Sequence, residues 1–216
     1  MTQISRDKLI ILFSATRLDD YTNTREHEAN LALIGNISHK IGILEIVLRN
    51  RIDTLMTNAQ SQDWLLSLPR ELEPKGEFQT HKRDKFISTQ SLGFWVRLVE
   101  IYKIHNTIFH KDFLENLDFK KYYFKNKNRF NRDMHFTNYY KVSAILQLFR
   151  LIRNRAFHFE NLYKFTDNGY PRLNVKITNK YNQSVYIAIE PNKIIDFLND
   201  LIASFDKRLI TYGENV

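Results

Sequence analysis

Six consecutive residues, Arg153-Asn154-Arg155-Ala156-Phe157-His158, hold the side chains best suited to chemistry in this chain. Arginine carries a permanent cation, and histidine titrates near neutrality. Together they are the parts needed to cleave RNA without a metal ion. The imidazole can take the ribose 2′-OH proton or protonate the leaving 5′-oxygen, and the guanidinium can neutralise charge on the phosphoryl oxygens. The nucleophile is then the RNA's own hydroxyl. The spacing alone is weak, because an arginine five positions before a histidine arises by chance in many basic chains. A helix end carrying cations beside the negative pole of its dipole explains the same residues. On a helix, Asn154 and His158 share a face, whereas Arg153 lies about 140° round from His158. Arg153 must therefore curl to join the histidine, or meet the histidine of a second copy across a dimer cleft.

Other templates fail. No GxxxxGK[ST] loop, GxGxxG turn or GxSxG elbow is present. His27-Glu28 lacks the second histidine of a zinc helix, and His105 and His110 are five apart, off a common helix face. The chain has no cysteine, which excludes disulfides, thiolate metal sites and a cysteine nucleophile. No metal and no cofactor are expected. Cysteine-free composition is compatible with a reducing cytosol, and a cytoplasmic location is expected. No apolar run approaches the roughly 20 residues of a membrane span, so no membrane partner is expected. Arg6 and Lys8 precede a short apolar stretch at 9–15, closed by Arg17, Asp19 and Asp20. It reads as a turn or two of amphipathic helix rather than a signal peptide.

The 216 residues carry 32 Lys and Arg against 24 Asp and Glu, a formal charge of +8, which favours polyanionic partners. The excess is concentrated at 119–132, FKKYYFKNKNRFNR, which holds Lys120, Lys121, Lys125, Lys127, Arg129 and Arg132 and no acid. Phe119, Tyr122, Tyr123, Phe124 and Phe130 are interleaved. Such a segment can contact phosphates while its rings stack on bases. Equally, the rings can pin a solvated basic loop to the core. Arg150 and Arg155 beside the motif join the candidate RNA-binding set.

Helices must position these residues. Ile34, Ile37, Ile41, Leu44, Leu48, Ile52 and Leu55 recur at three- and four-residue steps, predicting a helix over 26–56. Glu45 and Arg49 on it are spaced for a favourable i,i+4 pair. A short helix is expected at 61–68, then a loop marked by Pro69 and Pro74 as far as 90. Ser91 reads as the N-cap of a helix over 92–105. A second long helix is expected from 137 into the region of His158, with Val142, Ile145, Phe149, Ile152 and Ala156 as its core stripe. Leu173, Val175 and Ile177 alternate, as do Val185, Ile187 and Ile189, predicting a hairpin turning at 179–183. A last helix is expected over 192–212. Only 6 Gly and 4 Pro argue against an all-β sandwich. The expectation is one mainly α domain over 1–216, a helical bundle with a small C-terminal β-hairpin.

Several segments together resemble the abortive-infection AbiD/AbiF-like family of bacterial HEPN proteins. They are RLDDY (17–21), LALIGN (31–36), LEIVLRNRI (44–52), SLGFWVRL (91–98) and RLIRNRAFHFENL (150–162). They cover residues 17–162 in the family's order. The sequence departs in having Gly35 before Asn36, where members often carry an aromatic. Phe157 and Phe159 flank His158, where many have a second histidine, and these neighbours are expected to bury the imidazole. The resemblance implies a HEPN-type bundle and an Rx4–6H ribonuclease motif, with Arg153 and His158 as its ends and Asn154 as the polar residue after the arginine. It also implies an active site composed from two units, hence a homodimer, and phage defence by RNA cleavage. Glu45, Arg49 and Asn50 match the family's other polar cluster. They read either as supports for Arg153 and RNA or as a buried polar network between two helices. A non-catalytic RNA-binding protein and an oligomerisation module are the alternatives to the endoribonuclease.

Overall fold

A computed structural model describes residues 4–213. Its axis is α3 (Thr24–Ala59), 36 residues opened by the Asn23 side chain, which accepts the Glu26 backbone N–H. At 1.5 Å per residue this helix is about 54 Å long. Two short helices, α1 (Arg6–Phe13) and α2 (Ala15–Leu18), precede it. The expected stripe faces inward: Ile34, Ile37, Ile41, Leu44, Leu48 and Ile52 are buried, and Leu55 is half-buried. One 18-residue window of α3 has a mean hydropathy of 1.6, so length and composition alone would let it cross a membrane. Here Leu33, Ile34, Ile37, Ile41, Leu44, Leu48 and Ile52 are the spine of the core, while Ile46 is exposed.

Against α3 pack α5 (Leu92–Tyr102), α6 (His105–Ile108), α8 (Asn138–Phe157) and α9 (Ile194–Ala203). The small helices α4 (Arg83–Thr89) and α7 (Lys111–Asn116) complete the helical set among the described residues. Val142, Ile145, Phe149, Ile152 and Ala156 of α8 are all buried, and so are Ala144, Leu146 and Leu148, giving α8 a wider apolar face than its stripe implied. Burying each of the valine, isoleucine, leucine and phenylalanine side chains contributes about 1.5–3 kcal/mol. The hairpin pairs β1 (Asn174–Thr178) with β2 (Ser184–Ala188), antiparallel, with Val175 opposite Ile187 and Ile177 opposite Val185. Asn179 makes the turn by accepting the Tyr181 and Gln183 N–H groups, and β1 packs on α8.

Four boundaries differ from the pattern reading. The segment expected as a short helix at 61–68 is only a 3-10 turn at Trp64–Ser67. The loop expected as far as 90 contains α4. Ser91 caps α5 as expected, accepting the Phe94 N–H at 3.2 Å, but that helix ends at Tyr102 because Lys103 turns left-handed with φ 54°. The last helix stops at Ala203 instead of running to 212. Asp206 is extended and caps a separate 3-10 turn, Lys207–Thr211, by accepting the Arg208 N–H.

Candidate functional site

The motif forms the end of α8. Arg153 projects toward α3, where its Nε donates to Glu45 Oε1 at 2.6 Å, across 108 positions of sequence. Its guanidinium carbon also lies 5.2 Å from the centre of the Phe157 ring, one turn on. Glu45 thus pairs with Arg153 rather than with Arg49, and the pair is about one-third exposed on each side. Asn154 is exposed, and its Oδ1 lies 3.5 Å from Arg153 NH1. Arg153 and Asn154 line one cleft together with Arg150. Arg49 lines an adjoining cleft, and Asn50 is exposed on the surface of α3.

His158 is the C-cap of α8, with its backbone N–H on the Asn154 carbonyl at 3.0 Å. The expected burial of the imidazole does not occur. His158 is exposed, and Phe157 and Phe159 turn outward with it, at 41% and 50% exposure. Phe157 is exposed as the last residue of α8, and Phe159, left-handed with φ 53°, follows the helix end. The imidazole has no hydrogen-bond partner among the described residues. It lines neither of the clefts on Arg153, so one chain does not close Arg153 and His158 into a single pocket.

What fixes the histidine is the segment that follows it. Asn30 of α3, fully buried, donates to the Glu160 carbonyl and to the Tyr21 hydroxyl and accepts the Leu162 N–H at 2.9 Å. Asn161 donates to the Asp20 carbonyl and to Glu26, and Arg17 donates to the Phe159 carbonyl at 2.8 Å. Asp20 also pairs with Lys164 and Arg172. The stretches 17–30 and 159–164 are thereby clasped together. Arg155 belongs to this clasp. Its side chain is only 16% exposed and its NH1 sits 2.5 Å from Glu160. Burial first, and Arg172 second, pull its pKa down, while Glu160 and Asp20 oppose them. The structure therefore places Arg155 among structural cations rather than at a surface for RNA. Asn36 is exposed on α3 and takes no part.

The basic stretch divides. Phe119, Tyr122 and Tyr123 are buried at 0–2% exposure and Phe130 packs on the core, so the rings expected to stack on bases mostly pin the segment down. Phe124 alone of the five is open, at 70% exposure. Lys121 leaves the others to pair with Asp200 at 2.5 Å. Lys120, Lys125, Lys127, Arg129 and Arg132 instead line an open groove of about 940 Å³, with no acid in its walls. Sequence reading missed His135 and Tyr170, which complete it. Lys125 Nζ stands 5.5 Å from the Phe124 ring centre and 5.7 Å from that of Tyr170.

Asn126 was also missed. It is 1% exposed, and it exchanges two 2.8 Å hydrogen bonds with the Ala188 backbone while donating to the Phe119 carbonyl. It fastens the basic loop to β2 as a strand neighbour would. The available signal was one of three asparagines set among cations, Asn126, Asn128 and Asn131, and local pattern does not separate the buried one from a solvated one. Among the described residues no three His, Asp or Glu side chains converge as a metal-binding group. No family model, curated protein or solved structure matches this chain.

Proposed function

We propose that the protein is a metal-independent endoribonuclease of the HEPN type, acting in bacterial phage defence. The observation that carries this reading is the state of His158: an exposed imidazole without a protein partner, held at a helix end by a clasped backbone, five positions after an arginine fixed by a carboxylate. In this reading His158 moves the proton, taking it from the ribose 2′-OH or giving it to the leaving 5′-oxygen. Arg153 neutralises the phosphoryl charge, with Glu45 setting its direction. Asn154 positions the phosphate or the histidine. His158 lines neither cleft on Arg153, so the reading takes two copies, with Arg153 of one meeting His158 of the other. The products carry 2′,3′-cyclic phosphate ends.

The test uses an RNA cleaved by the wild-type protein. Replacing the 2′-OH at the cut site by hydrogen should leave that RNA intact, and cutting at the same bond would refute the mechanism. His158→Ala should abolish cleavage while RNA affinity holds.

A second reading is favoured by the groove itself. It shares no residue with the motif and presents five Lys and Arg side chains beside Phe124 and Tyr170. A protein that binds RNA there without cutting it would keep full cellular toxicity in the His158→Ala form.

A further inference from the structure

Two clefts meet on the Glu45 side of Arg153, sharing Ser91, Leu92 and Arg153. The smaller, about 280 Å³, is walled by Arg49, Lys75, Trp95 and Arg153, with Glu45 as its sole acid. That carboxylate already accepts from Arg153 at 2.6 Å. Gln90, buried beneath the rim, holds Lys75 in place by accepting its backbone N–H at 2.7 Å and donating to its carbonyl at 3.1 Å. The floor is the start of the eleven-residue α5, whose first N–H groups, at Leu92 and Gly93, have no carbonyl four residues back. Helix dipole and cations therefore point the same sign of potential into one small space.

An independent observation calls for an acceptor here. Trp95, 2% exposed and lining this cleft, has an indole N–H with no partner. Arg49 Nε is buried and equally unpaired, while its NH1 reaches the Ser88 carbonyl only at 3.4 Å. A buried donor without an acceptor costs about 1–3 kcal/mol. Both residues line this cleft beside Lys75, and an anion that reaches them would give each donor an acceptor. The adjoining cleft, about 430 Å³, differs in character: Leu151 and Val175 give it an apolar side, and Gln147 and Asn174 give it amide groups. It suits the organic part of a ligand whose charged end sits by Trp95.

We infer that these joined clefts bind a nucleoside phosphate monoester, its phosphate held by Arg49, Lys75, Arg153 and the Trp95 indole and its nucleoside lying toward Val175. The inference stands on the cleft and not on cleavage at His158. Such a group reaches the site as a free nucleotide or as the 5′ end of an RNA strand.

The chain has two tryptophans, so a ¹⁵N spectrum resolves two indole signals. Trp64 Nε1 is already bonded to Asp53 at 3.0 Å and serves as the internal control. Titrating the full chain with 5′-AMP should move the Trp95 indole signal saturably and leave that of Trp64 in place, whereas adenosine should move neither. Arg49→Gln should weaken AMP binding about tenfold or more. Trp95→Phe, which removes the unpaired donor and trims a buried ring packed on Trp64 and Phe94, should keep the fold by circular dichroism and weaken binding measured by calorimetry. A 5′-phosphorylated oligoribonucleotide that outcompetes its 5′-hydroxyl twin assigns the strand end, and equal competition by the two assigns the free nucleotide. If AMP, inorganic phosphate and the phosphorylated strand all leave the Trp95 signal unmoved, or move both indoles alike without saturation, the inference is wrong.

Discussion

Replacing Asn30 by alanine removes three hydrogen bonds from the clasp behind His158: 3.0 Å to the Tyr21 hydroxyl, 3.2 Å to the Glu160 carbonyl and 2.9 Å from the Leu162 N–H. Asn30 is fully buried and Leu162 is 1% exposed, so water does not readily replace the amide. Each bond contributes about 1 kcal/mol, and a stranded Leu162 N–H costs about 1–3 kcal/mol more, so a loss of roughly 4–6 kcal/mol is expected. For a chain of this length that lowers the melting temperature by roughly 8–24 °C, at 2–4 °C per kcal/mol. Urea denaturation of wild type and Asn30→Ala measures it directly. Hydrogen exchange should show the loss concentrated at 159–162, with α5 and α9 still protected. RNA cleavage should fall because the helix end carrying His158 loosens, while RNA affinity holds because the groove is built from 120–135. A stability change under about 1 kcal/mol would refute the idea that this amide organises the site.

Other outcomes follow from the same structure. His105 is 1% exposed, neither ring nitrogen has a partner, and burial pushes its pKa down to about 4. The unfolded chain then takes up a proton as pH falls through about 6.5 while the native state does not, until about pH 4. Stability should fall across that window by up to about 3 kcal/mol and level off below it. His105→Phe, which keeps a ring against Tyr139, should flatten that part of the pH profile in urea melts, and an unchanged profile would contradict the assignment. Reversing Lys125 and Arg129 to glutamate should weaken RNA binding and make the slope of log affinity against log salt shallower by about 2, whereas reversing Lys121 should have a smaller effect. Asn126→Ala, which unfastens the basic loop from Ala188, should lower stability by roughly 3 kcal/mol in the same urea assay and weaken RNA binding.

Sequence by itself determined the parts of this protein whose physics is local. The 3.6-residue repeat of α3 and α8 identified the buried faces, the two-residue alternation at 173–189 set the hairpin register, and Ser91 announced the start of α5. It also located the motif and the concentration of cations. Tertiary structure alone decided what those side chains do, because their partners lie far away along the chain. Glu45 meets Arg153 across 108 positions, Asn30 meets Leu162 across 132, and Lys121 meets Asp200 across 79. A cation's sequence neighbours do not tell whether it faces water, a carboxylate or a groove. Arg155 and Lys121, candidate RNA contacts from the sequence, each meet an acid in the folded chain. His158 moved the other way: Phe157 lies on the outward side of the last turn of α8, and the left-handed Phe159 leaves the helix with its own ring in solvent, so the flanking apolar residues do not cover the imidazole.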